Sequence, residues 1–498
     1  MRTLSPRTQF FVDYADDTRL GSLVSNAFER KLRERCGQVL AVARGWSRIE
    51  LARRMPAIWS DLERELADYY EAPGRLREDA LYPAPERVRP RALVIRHADR
   101  PSAIAIDLRP EHAAELARWF GEWQHDASPP RCPRAHALWL ALDEAEAFAE
   151  RVPEEDDPQP LGDLTFVGHA SVAIGGRART VFDPFLMPPA SGYPRGYQPL
   201  TAGQLAPSAV FVTHSHPDHY DLGSLLRFGH DMPIWVPEVA RESILAIDMR
   251  ARLEQLGFTR VRTMRWGEDV VVGDQRVTAV PFYGEQPTAE DVLHPEVRNE
   301  GNLYLVEKGQ RRILMTADGG DDRAGSLKRV AAELRRDRGA VDVCVGGYRD
   351  WSLYPFQYLF TSVARYLLFV PAHLRDVRHR IMYAPHDLVD VAERCGARWV
   401  VPYADGGAPW YWERGLGPRL DVAADDEQCF DLPPEAVREA AARRSWSPDG
   451  RIPSQVNALV LRPGETIALP PAEDAGGTVQ RSAGPHQVWP YSAPQAVA

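Results

Sequence analysis

The stretch Thr213-His214-Ser215-His216-Pro217-Asp218-His219 constrains this chain more than any other. It sets three imidazoles and a carboxylate close together, directly after the apolar run Ala209-Val210-Phe211-Val212. A strand that ends in such a cluster delivers nitrogen and oxygen donors to one point at a sheet edge, which is how a metal site is built rather than a core. A single histidine has an ordinary reading as a core or surface residue; four candidate ligands at H-x-H-x-D-H spacing do not. Imidazole suits zinc, iron, copper or nickel, and the added carboxylate tilts the site towards harder ions.

The rest of the chain bounds the setting of that cluster. A length of 498 residues allows about two or three domains and a large core. A net charge of −10 makes the chain a poor partner for a phosphate backbone, so no nucleic acid is expected. The five cysteines, Cys36, Cys132, Cys344, Cys395 and Cys429, are scattered and odd in number, which fits neither a zinc knuckle nor a disulfide framework. Met1-Arg2-Thr3-Leu4-Ser5-Pro6 carries no apolar signal region, and the longest apolar run, around Tyr366 to Val370, is too short to span a bilayer. The expectation is a reduced, soluble, cytoplasmic protein with no membrane partner.

Residues 1–160 read as a mainly helical N-terminal domain of unknown role. Apolar residues recur at helical spacing from Leu20 to Tyr70, and again over Glu111–Trp123 and Ala135–Arg151. Only Ala92–Leu108 alternates in the manner of strands. Glu154-Glu155-Asp156-Asp157-Pro158 reads as a solvated linker. From Gly162 the texture changes. Strands are expected at Leu164–Val167, Val172–Ile174, Thr180–Phe182, Ala209–Val212, Ile234–Val236, Val261–Met264, Val270–Val272, Val277–Val280, Leu303–Val306 and Arg312–Thr316. Helices are expected at Leu222–Arg227, Val239–Leu256 and Gly325–Asp337. This predicts an α/β fold over residues 161–430, two sheets with helices on their outer faces. Residues 431–498 read as a C-terminal extension, with Pro470–Ala498 a loosely ordered tail.

Further donors are recruited from strand ends. Glu285 follows the strand Val277–Val280, and Asp318 closes the strand Arg312–Thr316 ahead of Gly319-Gly320, where glycines admit close backbone approach. A carboxylate such as Asp318 can bridge two cations held about 3.5–4 Å apart. Alone, each would read as an ordinary loop acid; their place relative to the cluster makes them candidates. Gly346–Tyr358 is rich in aromatics and follows the strand Val341–Val345, so it reads either as a wall over the metal rim or as packing. Pro409-Trp410-Tyr411-Trp412 carries the same two readings.

With these residues in place, the chain resembles the metallo-β-lactamase superfamily. His214-x-His216-x-Asp218-His219 matches its signature, and Gly168-His169, Asp183-Pro184 and Asp318-Gly319 fall where its supporting motifs stand. The resemblance covers about residues 162–420. It implies an αββα sandwich with a dinuclear metal site at one edge, His214 and His216 on the first metal, Asp218 and His219 on the second, and Asp318 bridging. His169 and Asp183 are implied to orient ligands by hydrogen bonds.

Two departures from that pattern carry the functional reading. Glu285 stands where hydrolases of the superfamily supply a histidine. Their last histidine would fall near Ala404, in Trp399-Val400-Val401-Pro402-Tyr403-Ala404-Asp405. The last ligand is then His386, with Asp405, His373 and His379 as alternatives; His294 competes for the role of Glu285. A carboxylate in place of an imidazole makes the site harder and more anionic, favouring iron or manganese. The pattern resembles the di-iron hydroxylase of the chloramphenicol pathway, which acts on an aryl amino acid held on a carrier protein. The expectation is therefore a monooxygenase of specialised biosynthesis, with two iron ions, dioxygen as co-substrate, an external electron donor, and Asp218 and Glu285 in the catalytic set. Its substrate would be an amino-acid-like or aryl small molecule, free or carrier-bound, hydroxylated or N-oxygenated; a homodimer is an allowed assembly. The alternative is a hydrolase of phosphodiester, lactone or amide bonds with two zinc ions. A third reading is a metal-binding scaffold without turnover.

Overall fold

The computed structural model describes residues 1–15, 70–82 (without 73), 88–97, 103–150, 160–186, 200–288, 293–349, 363–404 (without 376), 434–445, 456–470 and 478–483, with a few single positions between them. Two sheets form its centre. In spatial order the eight-stranded sheet runs Val261–Met264, Ile234–Pro237, Ala209–Phe211, Thr180–Phe182, Ser171–Ile174, Leu164–Gly168, Glu465–Ala468 and Gln480–Ala483. The seven-stranded sheet runs Asp269–Val272, Gln275–Pro281, Asn302–Lys308, Arg311–Met315, Val343–Gly347, Trp399–Tyr403 and Asn457–Ala458.

Side chains alternate across each strand, and this sorts the core into layers. Phe166, Val172, Phe182, Phe211, Val277, Tyr304, Val306, Ile313, Val343 and Val401 meet between the sheets. Their neighbours Leu305, Leu314, Cys344 and Val400 point the other way, onto the helices Leu327–Arg338, Pro385–Arg394 and Glu435–Ser445. On the far side of the first sheet, Val210, Val212, Ile234 and Val236 join a core with Phe10, Val12, Leu93, Ile95, Phe120 and Trp123. The layers are α, β, β and α, as expected.

Within the first sheet, the strands at Thr180, Ala209, Ile234 and Val261 run parallel. Within the second, those at Arg311, Val343 and Trp399 do so. Parallel strands place their carboxyl ends on one rim, the usual ligand side of α/β sheets. Asp183, the 213–219 cluster, Asp318 and Ala404 all follow such ends.

Three expectations need correction. The N-terminal region is mixed rather than mainly helical where it is described. Arg2–Leu4 pairs with Phe148–Glu150, and Thr8–Ala15, Arg89–His97 and Ile104–Asp107 form an antiparallel sheet beside the helices Leu116–His125 and Pro133–Glu144. Phe10, Val12 and Tyr14 alternate inward with the period of a strand. The expected run from Leu20 to Tyr70 lies largely outside the described residues, as do the linker at Glu154 and residues 405–433.

The helix expected over Val239–Leu256 is confined to Met249–Gln255. Ser243 Oγ accepts the N–H groups of Leu245 (3.3 Å) and Ala246 (3.0 Å), which holds a turn. The helix starts only at Asp248, whose carboxylate caps Ala251 N–H at 3.0 Å.

The C-terminal segments are part of the sandwich. Glu465–Ala468 adds to Leu164–Gly168, and Asn457–Ala458 to Trp399–Tyr403. Among the described residues no helix is long and apolar enough to cross a membrane.

Candidate metal centre

Five non-glycine residues at the rim hold positive φ: His169 (49°), Asp183 (45°), Glu285 (49°), Ala317 (44°) and Ala404 (53°). Each such backbone costs on the order of 1–3 kcal/mol and persists only where its surroundings hold it. Their clustering marks where strand ends bend inward. Gly284, at φ 86°, lets the Glu285 loop touch the Asp318 loop; a Cβ there would lie 2.4 Å from Gly320 N. Gly347 makes room for Asp318 itself, since its Cβ would meet Asp318 Oδ1 at 2.5 Å.

The donors converge as two groups. His214 Nε2, His216 Nδ1 and Glu285 Oε2 form a triangle with edges of 3.0, 3.1 and 3.0 Å. Donors about 2.1 Å from a common ion stand roughly 3.0–3.4 Å apart, depending on the angle between them. His214, His219 and Asp318 form the second group, with His219 Nε2 3.2 Å from Asp318 Oδ2. Asp218 Oδ2 stands 3.9 Å from the same nitrogen. All six side chains are buried.

Hydrogen bonding fixes what these groups can offer. Thr213 gives both its N–H and its hydroxyl hydrogen to Asp183, each at 2.7 Å. The hydroxyl oxygen can then only accept from His214 Nδ1, at 2.9 Å. His219 Nδ1 must donate to Asp183 Oδ2, at 2.8 Å. The Tyr366 hydroxyl gives its hydrogen to the Glu285 carbonyl, so His216 Nε2 donates to it at 3.0 Å. Every outer nitrogen is a donor, which leaves His214 Nε2, His216 Nδ1 and His219 Nε2 facing inward.

Two inward nitrogens 3.0 Å apart, beside a carboxylate oxygen, repel unless a cation lies between them. Asp218 Oδ1, Asp318 Oδ1 and His219 Nε2 are buried without a hydrogen-bond partner. The residues present therefore fit a metal pair.

Electrostatics agree with that arrangement. Burial lowers the pKa of His214, with the nearby His219 charge adding to the effect. For His219 burial also opposes charge, but Asp318, Asp183 and Asp218 raise its pKa well above the usual histidine range. Burial would raise Asp318, yet His219 draws it down to about 2. Asp218 is likewise held well below its usual value, against burial, by the His219 charge and a hydrogen bond from His169 Nε2 at 2.9 Å.

The structure brings together His214, His216, Asp218, His219, Glu285 and Asp318, with His169 and Asp183 behind them. It does not bring in His386. That residue is 59% exposed on the first turn of the helix Pro385–Arg394, 3.5 Å from Asp387. The helix amphipathicity explains this: Leu388, Val389, Val391 and Ala392 take the buried face. His373 is 64% exposed and His379 Nε2 lies against the Leu374 carbonyl at 2.9 Å. His294 accepts from Leu76 N at 3.2 Å and pairs with Glu296, so it does not displace Glu285. Asp405 lies outside the described residues. Ala404 is fully buried and donates its N–H to the His169 carbonyl at 2.7 Å. Of the aromatic segment, Tyr348 and Tyr358 are buried, and residues 350–353, 356 and 357 lie outside the described residues.

Sequence reasoning gave no role to Thr213, Tyr366 or Phe282, which stacks on His214 at 5.2 Å. Thr213 abuts the motif, and a hydroxyl at that place is the one local signal that was available.

Residues 179–403 match the family described as beta-lactamase superfamily domain. The chain is 32% identical over 161 residues to 4-amino-L-phenylalanyl-(CmlP-peptidyl-carrier-protein) 3-hydroxylase of Streptomyces venezuelae, covering 31% of this chain and only 28% of that protein. It is 29% identical over 154 residues to UPF0173 protein PF0020 of Pyrococcus furiosus, covering 28% of this chain and 68% of that one. Among solved structures it is similar to CmlA, a diiron beta-hydroxylase from Streptomyces venezuelae, with a TM-score of 0.59 and 18% identity over 92% of this chain and 98% of that one.

Proposed function

On this metallo-β-lactamase fold we propose a dinuclear iron oxygenase that hydroxylates or N-oxygenates an aryl or amino-acid-like substrate, free or held on a carrier protein. Glu285 carries the reading. Two histidines and one carboxylate on one face, with other positions open, are the ligand set of non-haem iron oxygenases. Asp218 and Asp318 add anionic oxygen donors that suit either metal, so the choice of iron rests on Glu285. The Streptomyces venezuelae relative, by its name a 3-hydroxylase of an aminophenylalanyl group on a peptidyl carrier protein, supports both the chemistry and the substrate class.

When bound, the metal pair would supply dioxygen activation. His214, His216 and Glu285 would hold one ion; His219, Asp318 and Asp218 would hold the other. Asp183 and Thr213 keep the outer nitrogens protonated, so the inner ones stay available as ligands. Phe282 stacks on His214 and the Tyr366 ring packs on His216, so ring surface flanks the first triad. Inserting one oxygen atom into a C–H bond and reducing the other to water consumes two electrons and two protons, so an external donor is part of the proposal.

The zinc hydrolase remains the second reading, because inward imidazoles beside carboxylates also suit zinc. Protein produced in iron-supplemented medium separates the two. Two irons per chain and reductant-dependent oxygen uptake with an aryl amino acid, free or carrier-loaded, are expected. Zinc alone, no oxygen uptake after reduction and turnover of a phosphodiester, lactone or amide would sink the oxygenase.

A further inference from the structure

Tyr366 stands outside every motif read from the sequence, yet its hydroxyl joins two members of the first triad. The phenol oxygen lies 3.0 Å from His216 Nε2, and its hydrogen goes to the Glu285 backbone carbonyl. The ring packs on the His216 ring at 5.7 Å, and Tyr358 meets it edge-on at 6.2 Å. The residue is fully buried. A carbonyl only accepts, so the phenol hydrogen is committed, and His216 must carry its proton on Nε2. That choice leaves Nδ1 as the lone pair facing His214 and Glu285.

The same hydroxyl acts on the strained residue. Glu285 holds φ at 49°, a conformation that needs outside support. Its N–H donates to the Ile381 carbonyl at 3.0 Å, and its carbonyl accepts from Tyr366. Both peptide groups flanking Glu285 are thereby pinned.

Resting on the reading of His214, His216 and Glu285 as one metal site, we propose that Tyr366 is a positioning residue of that site, one phenol fixing the tautomer of one ligand and the backbone of another. Phenylalanine would keep the packing and remove only this link. Partners that orient ligands in this way are worth roughly 10–100-fold in metal affinity.

The test uses Co(II) and Zn(II), so it does not depend on which metal is native. Wild type and Tyr366→Phe are titrated against a chromophoric chelator, and the melting of both metal-free proteins is recorded. The proposal expects one of two sites to weaken about 10–100-fold, with altered Co(II) d–d bands, while the other site stays within about threefold. It also expects the effect to shrink in a His216→Ala background. Two sites that both match wild type, or that weaken together in step with a lowered melting temperature, overturn it. Nitrogen-15 NMR of zinc-loaded wild type gives a reading that needs no variant. A His216 protonated on Nε2 and bound through Nδ1 supports the proposal; the opposite tautomer overturns it. Wild type that takes up neither metal overturns the metal-centre reading itself, an outcome distinct from a Tyr366→Phe variant that matches a metal-binding wild type.

Discussion

Asp183 is the residue on which the second metal group turns, although it touches no metal position itself. It accepts from Thr213 twice and from His219 once, so it fixes His219 directly and His214 through the threonine hydroxyl. Without metal, the carboxylates around His219 keep that ring protonated at neutral pH, against the effect of burial. A cation must displace that proton. Loading at pH 7 is therefore expected to release about one proton per chain, and affinity is expected to rise with pH until the raised pKa is passed. Calorimetry in buffers of different ionisation enthalpy checks this; identical heats in all of them would contradict it. Glu285 gives a second prediction at this scale. Glu285→His makes the first triad all imidazole, and histidine tolerates the positive φ better than most residues. The variant is expected to retain zinc in place of iron and to lose at least about tenfold in reductant-dependent oxygen uptake, read by metal analysis and an oxygen electrode. The motif, Glu285 and Asp318 were legible because each follows an apolar strand. Tyr366 was not, because nothing near it in sequence marks a contact made 150 residues from His216.

Among the elements, strands of the two central sheets were legible where alternation was regular and turns were marked by glycine. Ser171–Ile174 and Thr180–Phe182, separated by Gly175-Gly176, are an example. Short strands with a weak local pattern were missed: Arg2–Leu4 gains its place by pairing with Phe148–Glu150, and Glu465–Ala468 joins the first sheet by pairing with Leu164–Gly168 as well as with Gln480–Ala483. The residues paired in Arg2–Leu4 with Phe148–Glu150 and in Glu465–Ala468 with Leu164–Gly168 lie between 144 and 303 positions apart, so no short window of sequence contains both partners. The rim depends on the same kind of long-range approach. Gly284 sits against Gly320, and Gly320 N donates to the Tyr283 carbonyl at 2.7 Å, locking the Glu285 and Asp318 loops together. Gly284→Ala combines a disfavoured φ with a backbone clash, at a cost of about 1–3 kcal/mol. It is expected to lower the melting temperature and to reduce bound metal to well below two ions per chain. Gly309→Ala, at positive φ but with open space around it, is the control: it should carry the strain without the loss of metal. Equal metal loss in both would show that strain, not loop approach, matters.

For the molecule as a whole, the open question is whether the N-terminal region is an appendage or part of one folding unit. The shared core of Phe10, Val12 and Phe120 with Val210, Leu222 and Ile234 argues for one unit. Its polar counterpart is Arg227, at the end of the helix Leu222–Leu226. The guanidinium donates to the Ser5 carbonyl at 2.9 Å, the Thr8 carbonyl at 2.7 Å and Gln124 Oε1 at 3.2 Å, and lies 5.4 Å from the Phe10 ring centre. Burial lowers its pKa to about 10, which still leaves it charged at neutral pH. Such a cation is tolerated because it donates to acceptors of the N-terminal region, two carbonyls at Ser5 and Thr8 and the Gln124 side chain. Arg227→Met keeps the apolar stem and removes that link. Losing three hydrogen bonds from a charged donor, partly offset by apolar burial, should cost about 2–5 kcal/mol. Amide exchange in residues 1–15 and 89–97 is expected to speed up, and the melting temperature to fall. The metal groups lie on the rim, built from residues that do not contact Arg227, so two ions per chain should still bind. If exchange quickens across both central sheets to the same degree, the N-terminal region and the sandwich unfold as one. If it quickens only in the N-terminal strands, they form a separable layer clamped onto a sandwich that stands without them.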